Sequence, residues 1–168
     1  MSSNTIYGLI PELSTFSANG EFISNLVIGG VRVLVIGGVA VRYYVPSRVA
    51  DDLDVMIRPS AREAQAIMDD LYKWNEEPNF SLDALSNPGD LPRHLPLKKF
   101  LYLDLIVPAA NFPFDAEWQR ASPATLKQRA VRVAAPDLLI ELKTDSAREE
   151  DVDDVRALNE YLTRCRIL

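Results

Sequence analysis

Cysteine, histidine and long apolar runs are what this chain has least of. Among its 168 residues Cys165 is the single cysteine and His94 the single histidine. One thiol can form neither an intrachain disulfide nor a multi-cysteine zinc site, and it suits a reducing compartment, so the cytoplasm is the expected location. One histidine without a partner motif leaves Ser/His/Asp nucleophilic catalysis unsupported. The longest apolar segment, residues 26–41, is interrupted by Arg32 and four glycines. It falls short of the ~18 residues a membrane span needs, so no membrane association is expected. No basic stretch precedes an apolar one at the N-terminus, and no signal peptide is expected. Positive charge is in deficit too: 18 Lys and Arg stand against 24 Asp and Glu, a formal net charge of −6. That balance argues against broad, sequence-independent nucleic-acid binding, which needs a basic footprint. The hydrophobic share of 48% with 25% charged residues is that of an ordinary globular protein. One domain over residues 1–168 is expected, large enough to bury about two thirds of its unfolded surface.

The most informative stretch runs from Leu34 to Ile57. Val33 to Ile36 is an unbroken apolar run, the pattern of a strand buried on both faces. Gly37 and Gly38 follow at once, where they allow a sharp turn and a close approach of the backbone to a ligand. A helix starting there would present free N–H groups suited to a phosphate. After Pro46 the chain re-enters the sheet through Asp52–Ile57. Alternation along that strand puts Asp52 and Asp54 on one face and Leu53, Val55 and Ile57 on the other, with Asp51 at the strand mouth. Two carboxylates on one face call for a positive partner, and a divalent cation is the obvious one. The glycines match neither a dinucleotide fingerprint nor a Walker lysine loop, because the chain continues Val-Ala-Val-Arg.

Elsewhere the pattern predicts one or two helices over the segment containing Leu13, Phe16, Phe22, Ile23, Leu26 and Val27, broken at Asn19-Gly20. Gly29-Gly30 reads as a helix C-cap, although LVIGGV occurs both there and at Leu34. A helix is expected over Ala61–Trp74 behind Pro59-Ser60. Residues 75–96 read as a long loop with a short strand or turn near Phe80–Leu85. Phe100–Val107 reads as a strand and Asn111–Trp118 as irregular. Ala124–Val133 suggests a short helix and strand, or a hairpin arm. Two helices end the chain, one opened by Pro136-Asp137 and one by a capping box at Ser146–Glu149.

Asp104 stands out as an acid inside the apolar strand, a placement that calls for a ligand or a buried Arg or Lys partner. Lys143 lies near the apolar side of its helix, either snorkelling at the edge or facing a site. Arg48, in the loop entering the acidic strand, has two uses open to it: a phosphate or the neutralisation of Asp51. Arg93, His94, Lys98 and Lys99 form a basic run before the Asp104 strand, read first as a solvated edge.

Gly37-Gly38-Val39-Ala40 followed by Arg48-Val49-Ala50-Asp51-Asp52-Leu53-Asp54 resembles the Gly-Gly … Arg-x-Thr-x-Asp-Leu-Asp signature of the nucleotidyltransferase superfamily, the polymerase-beta-like fold. The small stand-alone bacterial kind, which includes abortive-infection toxins, is the variety it looks most like. Ala50 stands where that pattern has Thr or Ser. The resemblance implies an α/β (α+β) fold, a mixed sheet with packed helices and a helical C-terminus. It makes Asp52, Asp54 and Asp104 the metal-binding and catalytic carboxylates, holding Mg²⁺ or Mn²⁺. It places Gly37, Gly38, Arg48 and Lys143 against a nucleoside triphosphate. Residues 137–155 resemble the family's C-terminal Leu … Lys … Arg-x-Lys-Asp-x-x-Asp run, with Glu150 in place of the second Lys. Arg148, Asp151 and Asp154 are expected to tie the last two helices together. The implied function is transfer of a nucleoside monophosphate to an acceptor hydroxyl on RNA or protein, as a toxin with an antitoxin partner. The rival expectation is a non-catalytic module of the same fold, an antitoxin or regulator.

Overall fold

A computed structural model of the chain describes residues 8–9, 17–126 and 128–167. Leu13 and Phe16, and any helix they would form, lie outside the described residues. Helix α1 (Ser17–Ile28) leads into β2 (Val33–Ile36), after a two-residue β1 (Gly8–Leu9). Then come α2 (Gly37–Tyr44), β3 (Leu53–Ile57), α3 (Ala61–Lys73), α4 (Leu82–Ser86) and β4 (Arg93–Leu97). The second half holds β5 (Leu103–Val107), α5 (Phe114–Arg120), the hairpin β6 (Ser122–Leu126) and β7 (Arg129–Val133), α6 (Pro136–Thr144) and α7 (Glu149–Ile167).

These strands form one seven-stranded mixed sheet in the order β1-β6-β7-β2-β3-β5-β4. β2 is buried along its whole length, as its unbroken apolar sequence requires. β3 runs antiparallel to β2 and parallel to β5, with Asp54 opposite Asp104, Val55 opposite Leu105 and Leu53 opposite Leu103. Paired residues share a face. Val33, Val35, Val55, Ile57, Leu103 and Leu105 therefore build one side of the core. Leu34, Met56 and Ile106 lie on the other side, together with Asp54 and Asp104. Helices α1 and α3 pack on each other, and α2 joins β3 to α6 and α7.

Helices α1 and α3 end alike, each in a left-handed residue that turns the chain sharply. α1 closes with the Gly30 N–H on the Val27 carbonyl (3.0 Å) and the Val31 N–H on that of Leu26 (2.9 Å), Gly30 taking φ +80°. α3 closes the same way, Asn75 N–H to Tyr72 and Glu76 N–H to Leu71, with Asn75 at φ +52°. Both are Schellman endings, and asparagine tolerates the left-handed position that glycine takes at α1. The second ending delivers Glu76 into the interior. There its carboxylate accepts the backbone N–H groups of Lys99 (3.1 Å), Phe100 (2.9 Å) and Leu101 (3.2 Å). Asn19 completes the clamp, donating to the Tyr102 carbonyl (2.6 Å) and accepting its N–H (2.8 Å).

Several expectations from sequence need correction. Asn19-Gly20 does not break α1, because the Asn19 amide is spent on Tyr102 rather than on its own backbone. The segment 75–96 contains α4, capped by Ser81, and β4, an edge strand; the region near residues 80–85 is helical. Residues 114–120 form a helix with Asp115 and Glu117 in its first turn. The strand at Asp104 starts at Leu103, since residues 99–102 give their N–H groups to Glu76 and Asn19. Residues 122–133 take the hairpin alternative. Ser146 closes no capping box; its hydroxyl donates to Asp151 instead.

Glu76→Ala should cost about 2–3 kcal/mol in urea unfolding, because the buried Leu101 N–H and the part-buried N–H groups of Lys99 and Phe100 lose their acceptor, the buried one at roughly 1–3 kcal/mol. A loss under about 1 kcal/mol would show that water replaces the carboxylate.

Candidate active site

The chain leaves β2 at Ile36 in extended backbone and enters α2 directly at Gly37, which takes φ +69°. A Cβ on Gly37 would collide with Asp54 Oδ2. The first need for glycine here is thus internal: it lets the Asp54 carboxylate lie against the turn. Gly38 is packed more loosely, with a Cβ there meeting Ala50 at 3.3 Å and Arg48 at 3.4 Å. Ala50 is itself buried. A small side chain at that position therefore fits between the diglycine turn and the acidic strand.

Around this turn lies a cavity of about 180 Å³. Gly37 and Gly38 border it, Asp51, Asp52, Asp54 and Glu150 supply negative charge, and Arg48, Lys143 and Arg148 supply positive charge. A larger cavity of about 310 Å³ lies between Val27, Val33, Trp118 and Arg132 but has no acid in its wall. Of the two, the smaller brings together Gly37, Gly38, Arg48, Asp52, Asp54 and Lys143.

Asp52 is exposed just before β3, Asp54 is half-buried in it, and Asp104 is half-buried at the matching position of β5. Burial, then the charges of Asp104 and Asp52, push Asp54 up from 3.8 to about 6, although His94 and Lys143 pull the other way. Asp104 Oδ1 is 3.2 Å from Lys98 Nζ, yet it is buried and receives no hydrogen bond. The contact has ion-pair distance without hydrogen-bond alignment. Among the described residues no group of three or more His, Cys, Asp or Glu side chains is arranged to hold one metal ion. The three acids share one end of the sheet but do not converge into a tight cluster, since Asp104 is drawn toward Lys98 and Asp54 toward Gly37.

Lys143 and Arg48 reach the cavity wall while committed to partners in α7. Lys143 Nζ sits 2.5 Å from Asp151 and 3.0 Å from Asp154, and only 10% of its side chain is exposed. It is not a snorkelling lysine. Arg48 Nε contacts Asp154 at 2.6 Å, and Asp151 also accepts from Arg148 (2.7 Å) and Ser146 (2.6 Å). Burial alone would push Asp151 up, but the hydrogen bonds from Lys143, Ser146 and Arg148 hold it down at about 2. Asp151 and Asp154 thus fasten α6, α7 and the Arg48 loop into one network under the cavity.

Lys98 lies exposed beside the border strand, as the sequence suggests, but the sequence does not reveal its contact with Asp104. The hairpin pairing of β4 with β5, Leu97 opposite Leu103, is what brings it beside Asp104. Arg93 from the same run instead donates to the Ala84 and Asn87 carbonyls at 2.8 Å, closing α4.

No family model matches the chain, and no curated protein is significantly similar to it. Solved structures, among them the following two, resemble it in fold. The lincosamide antibiotic adenylyltransferase LnuA, solved with lincomycin bound, aligns over 84% of this chain and 94% of its own at 16% identity and a TM-score of 0.56. The antibiotic-resistance factor ANT(2'')-Ia aligns over 87% and 85% at 13% identity and a TM-score of 0.54. This α/β chain has the nucleotidyltransferase fold.

Two outcomes are expected from the ionisation pattern. Asp151, depressed from 3.8 to about 2, contributes stability that is full above about pH 4 and lost as pH falls toward 2. Asp54, raised to about 6, acts in the opposite sense: the ion-free protein gives up stability as pH rises from about 4 through 6. In melting curves taken against pH, Asp151→Asn should flatten the acid limb and Asp54→Asn the slope between pH 4 and 6. Unchanged profiles in both variants would refute the assignment. Lys143→Ala, which takes one cation from Asp151 and Asp154 and leaves them Arg148 and Arg48, should cost about 1–3 kcal/mol in chemical denaturation.

Proposed function

We propose that this chain is a divalent-cation-dependent nucleotidyltransferase that moves a nucleoside monophosphate from a nucleoside triphosphate to an acceptor hydroxyl. The observation that carries the reading is the register of Asp54 with Asp104 beside the Gly37 turn. Two acids side by side on a half-buried face repel each other, and a bound cation would relieve that repulsion. The chemistry of the donor set suits Mg²⁺ or Mn²⁺ although the three acids are not gathered around one point: it is all carboxylate, Asp54 is held high by burial and its acid neighbours, and Asp104 has a buried oxygen with no hydrogen bond. Asp52, Asp54 and Asp104 would hold the cation, which when bound supplies charge neutralisation for the phosphates and the attacking oxygen.

The chain's own residues do the rest. The N–H groups opening α2 at Gly37 and Gly38 border the cavity and suit a phosphate. Arg48 and Lys143 bring positive charge to the same wall, held at fixed positions by Asp154 and Asp151. Their service is orientation and field rather than mobile capture. On this reading Asp104 would also accept the acceptor's proton.

The acceptor is read from charge. Asp51, Asp52 and Glu150 stand exposed at the cavity and the whole chain carries −6. A neutral or cationic acceptor meets this surface on better terms than a polynucleotide. The fold likeness to an antibiotic adenylyltransferase is compatible with a small molecule in that place.

A second reading, a non-catalytic module, draws on the paired state of Lys143 and on the absence of a three-carboxylate metal group among the described residues. One experiment separates the two. Incubation with each labelled nucleoside triphosphate, Mg²⁺ and a cell extract should yield a labelled product. Labelled RNA or protein would favour a toxin-like role, a labelled small molecule the role argued from charge. Alongside it, Mg²⁺ should raise the melting temperature, a triphosphate should raise it further, and Asp54→Asn should abolish both shifts while leaving the ion-free protein at least as stable. A melting curve indifferent to ion and nucleotide, with a less stable Asp54→Asn, would leave only the fold.

A further inference from the structure

Lys98 opens the loop joining β4 to β5, and that loop is fixed from within the protein. Glu76 holds the N–H groups of residues 99–101 and Asn19 holds both backbone groups of Tyr102. Over this frame the Lys98 ammonium lies 4.0 Å from the centre of the Tyr102 ring and 3.2 Å from Asp104 Oδ1. The oxygen it covers is buried. Its sequence neighbour Lys99 lies over the Phe100 ring at 5.1 Å and pairs at 3.1 Å with Glu77, which is exposed rather than buried. Lys98 keeps 41% of its side chain exposed, but its ammonium is held between an aromatic face and a buried carboxylate oxygen.

We propose that Lys98 is a built-in counter-ion that competes with the divalent cation for Asp104 and so sets the affinity of the site. The inference rests on the cation site proposed above. While the ammonium covers Oδ1, Asp104 has only its second oxygen to offer. A cation must either bind close to a positive charge or drive Lys98 off, which its flexible four-carbon stem permits. Either route weakens binding of the bare ion. A triphosphate entering with the ion brings negative charge that offsets the ammonium, so the two ligands bind cooperatively.

The test is calorimetric titration with Mn²⁺ alone, on folded full-length protein, comparing wild type with Lys98→Met, Lys98→Gln and Lys99→Met. Both Lys98 variants should bind Mn²⁺ about tenfold tighter, the order expected for removing a unit charge near the ion at partly exposed dielectric. Lys99→Met removes the same net charge elsewhere and should stay within about twofold of wild type. Wild type should gain more Mn²⁺ affinity from a non-hydrolysable triphosphate than Lys98→Met does. The second Lys98 variant covers the case in which one fails to fold. Equal Mn²⁺ affinity in wild type and both Lys98 variants, abolished by Asp54→Asn, would overturn this inference and leave the cation site standing. Absence of Mn²⁺ binding in every protein would overturn both.

Discussion

Like charges held side by side govern this structure. Parallel pairing of β3 with β5 sets Asp54 beside Asp104, at the ~4.8 Å spacing of neighbouring strands. Neither acid can leave without breaking the central sheet. Much of the charge near them is arranged around that pair. The Gly37 turn gives Asp54 room, Lys98 lies on Asp104, and Lys143 and His94 temper Asp54 from further off. Repulsion that a fold builds in and does not relieve with hydrogen bonds is a store of binding energy for whatever positive ligand arrives.

The helical C-terminus shows the opposite treatment of charge. Asp151 and Asp154 are nearly inaccessible, and each is satisfied by more than one cation. Their network crosses from α7 to α6 and to the Arg48 loop, so the position of Arg48 at the diglycine turn is set by a helix more than a hundred residues away in sequence. Lys143 belongs to both treatments: it pairs with Asp151 and Asp154 and tempers Asp54 from further off. Within one neighbourhood, one set of carboxylates is satisfied by fixed cations while the other holds a raised acid and a buried oxygen without a hydrogen bond.

How much of this could be read from the chain depended on whether a residue's partner was near in sequence. The strand–diglycine–helix unit, the acidic strand and helices α3, α6 and α7 were legible from period and capping, because those signals are local. Asn19 was misread, since a polar residue beside glycine looks like a turn unless its distant partner is known. Helices α4 and α5 are five and seven residues long, too short to establish a period. Lys98 illustrates the general difficulty. Its sequence shows a basic run, and only the closure of the β4–β5 hairpin tells which lysine meets Asp104. The pairing of Lys143 with two aspartates was hidden for the same reason, although the acids themselves were expected to join the helices.

Strand β4 forms one border of the sheet, and it carries Arg93, His94 and Pro96. Proline has no amide hydrogen to offer, and charged or polar side chains flank it, while the loop beyond has already surrendered its N–H groups to Glu76. A foreign strand approaching this border therefore meets few of the donors that cross-strand growth requires. The hairpin that presents Lys98 to Asp104 thus also closes that margin of the sheet to fibril-like stacking and to strand-adding partners. Association with other macromolecules on this side of the molecule is left to side chains and helix surfaces.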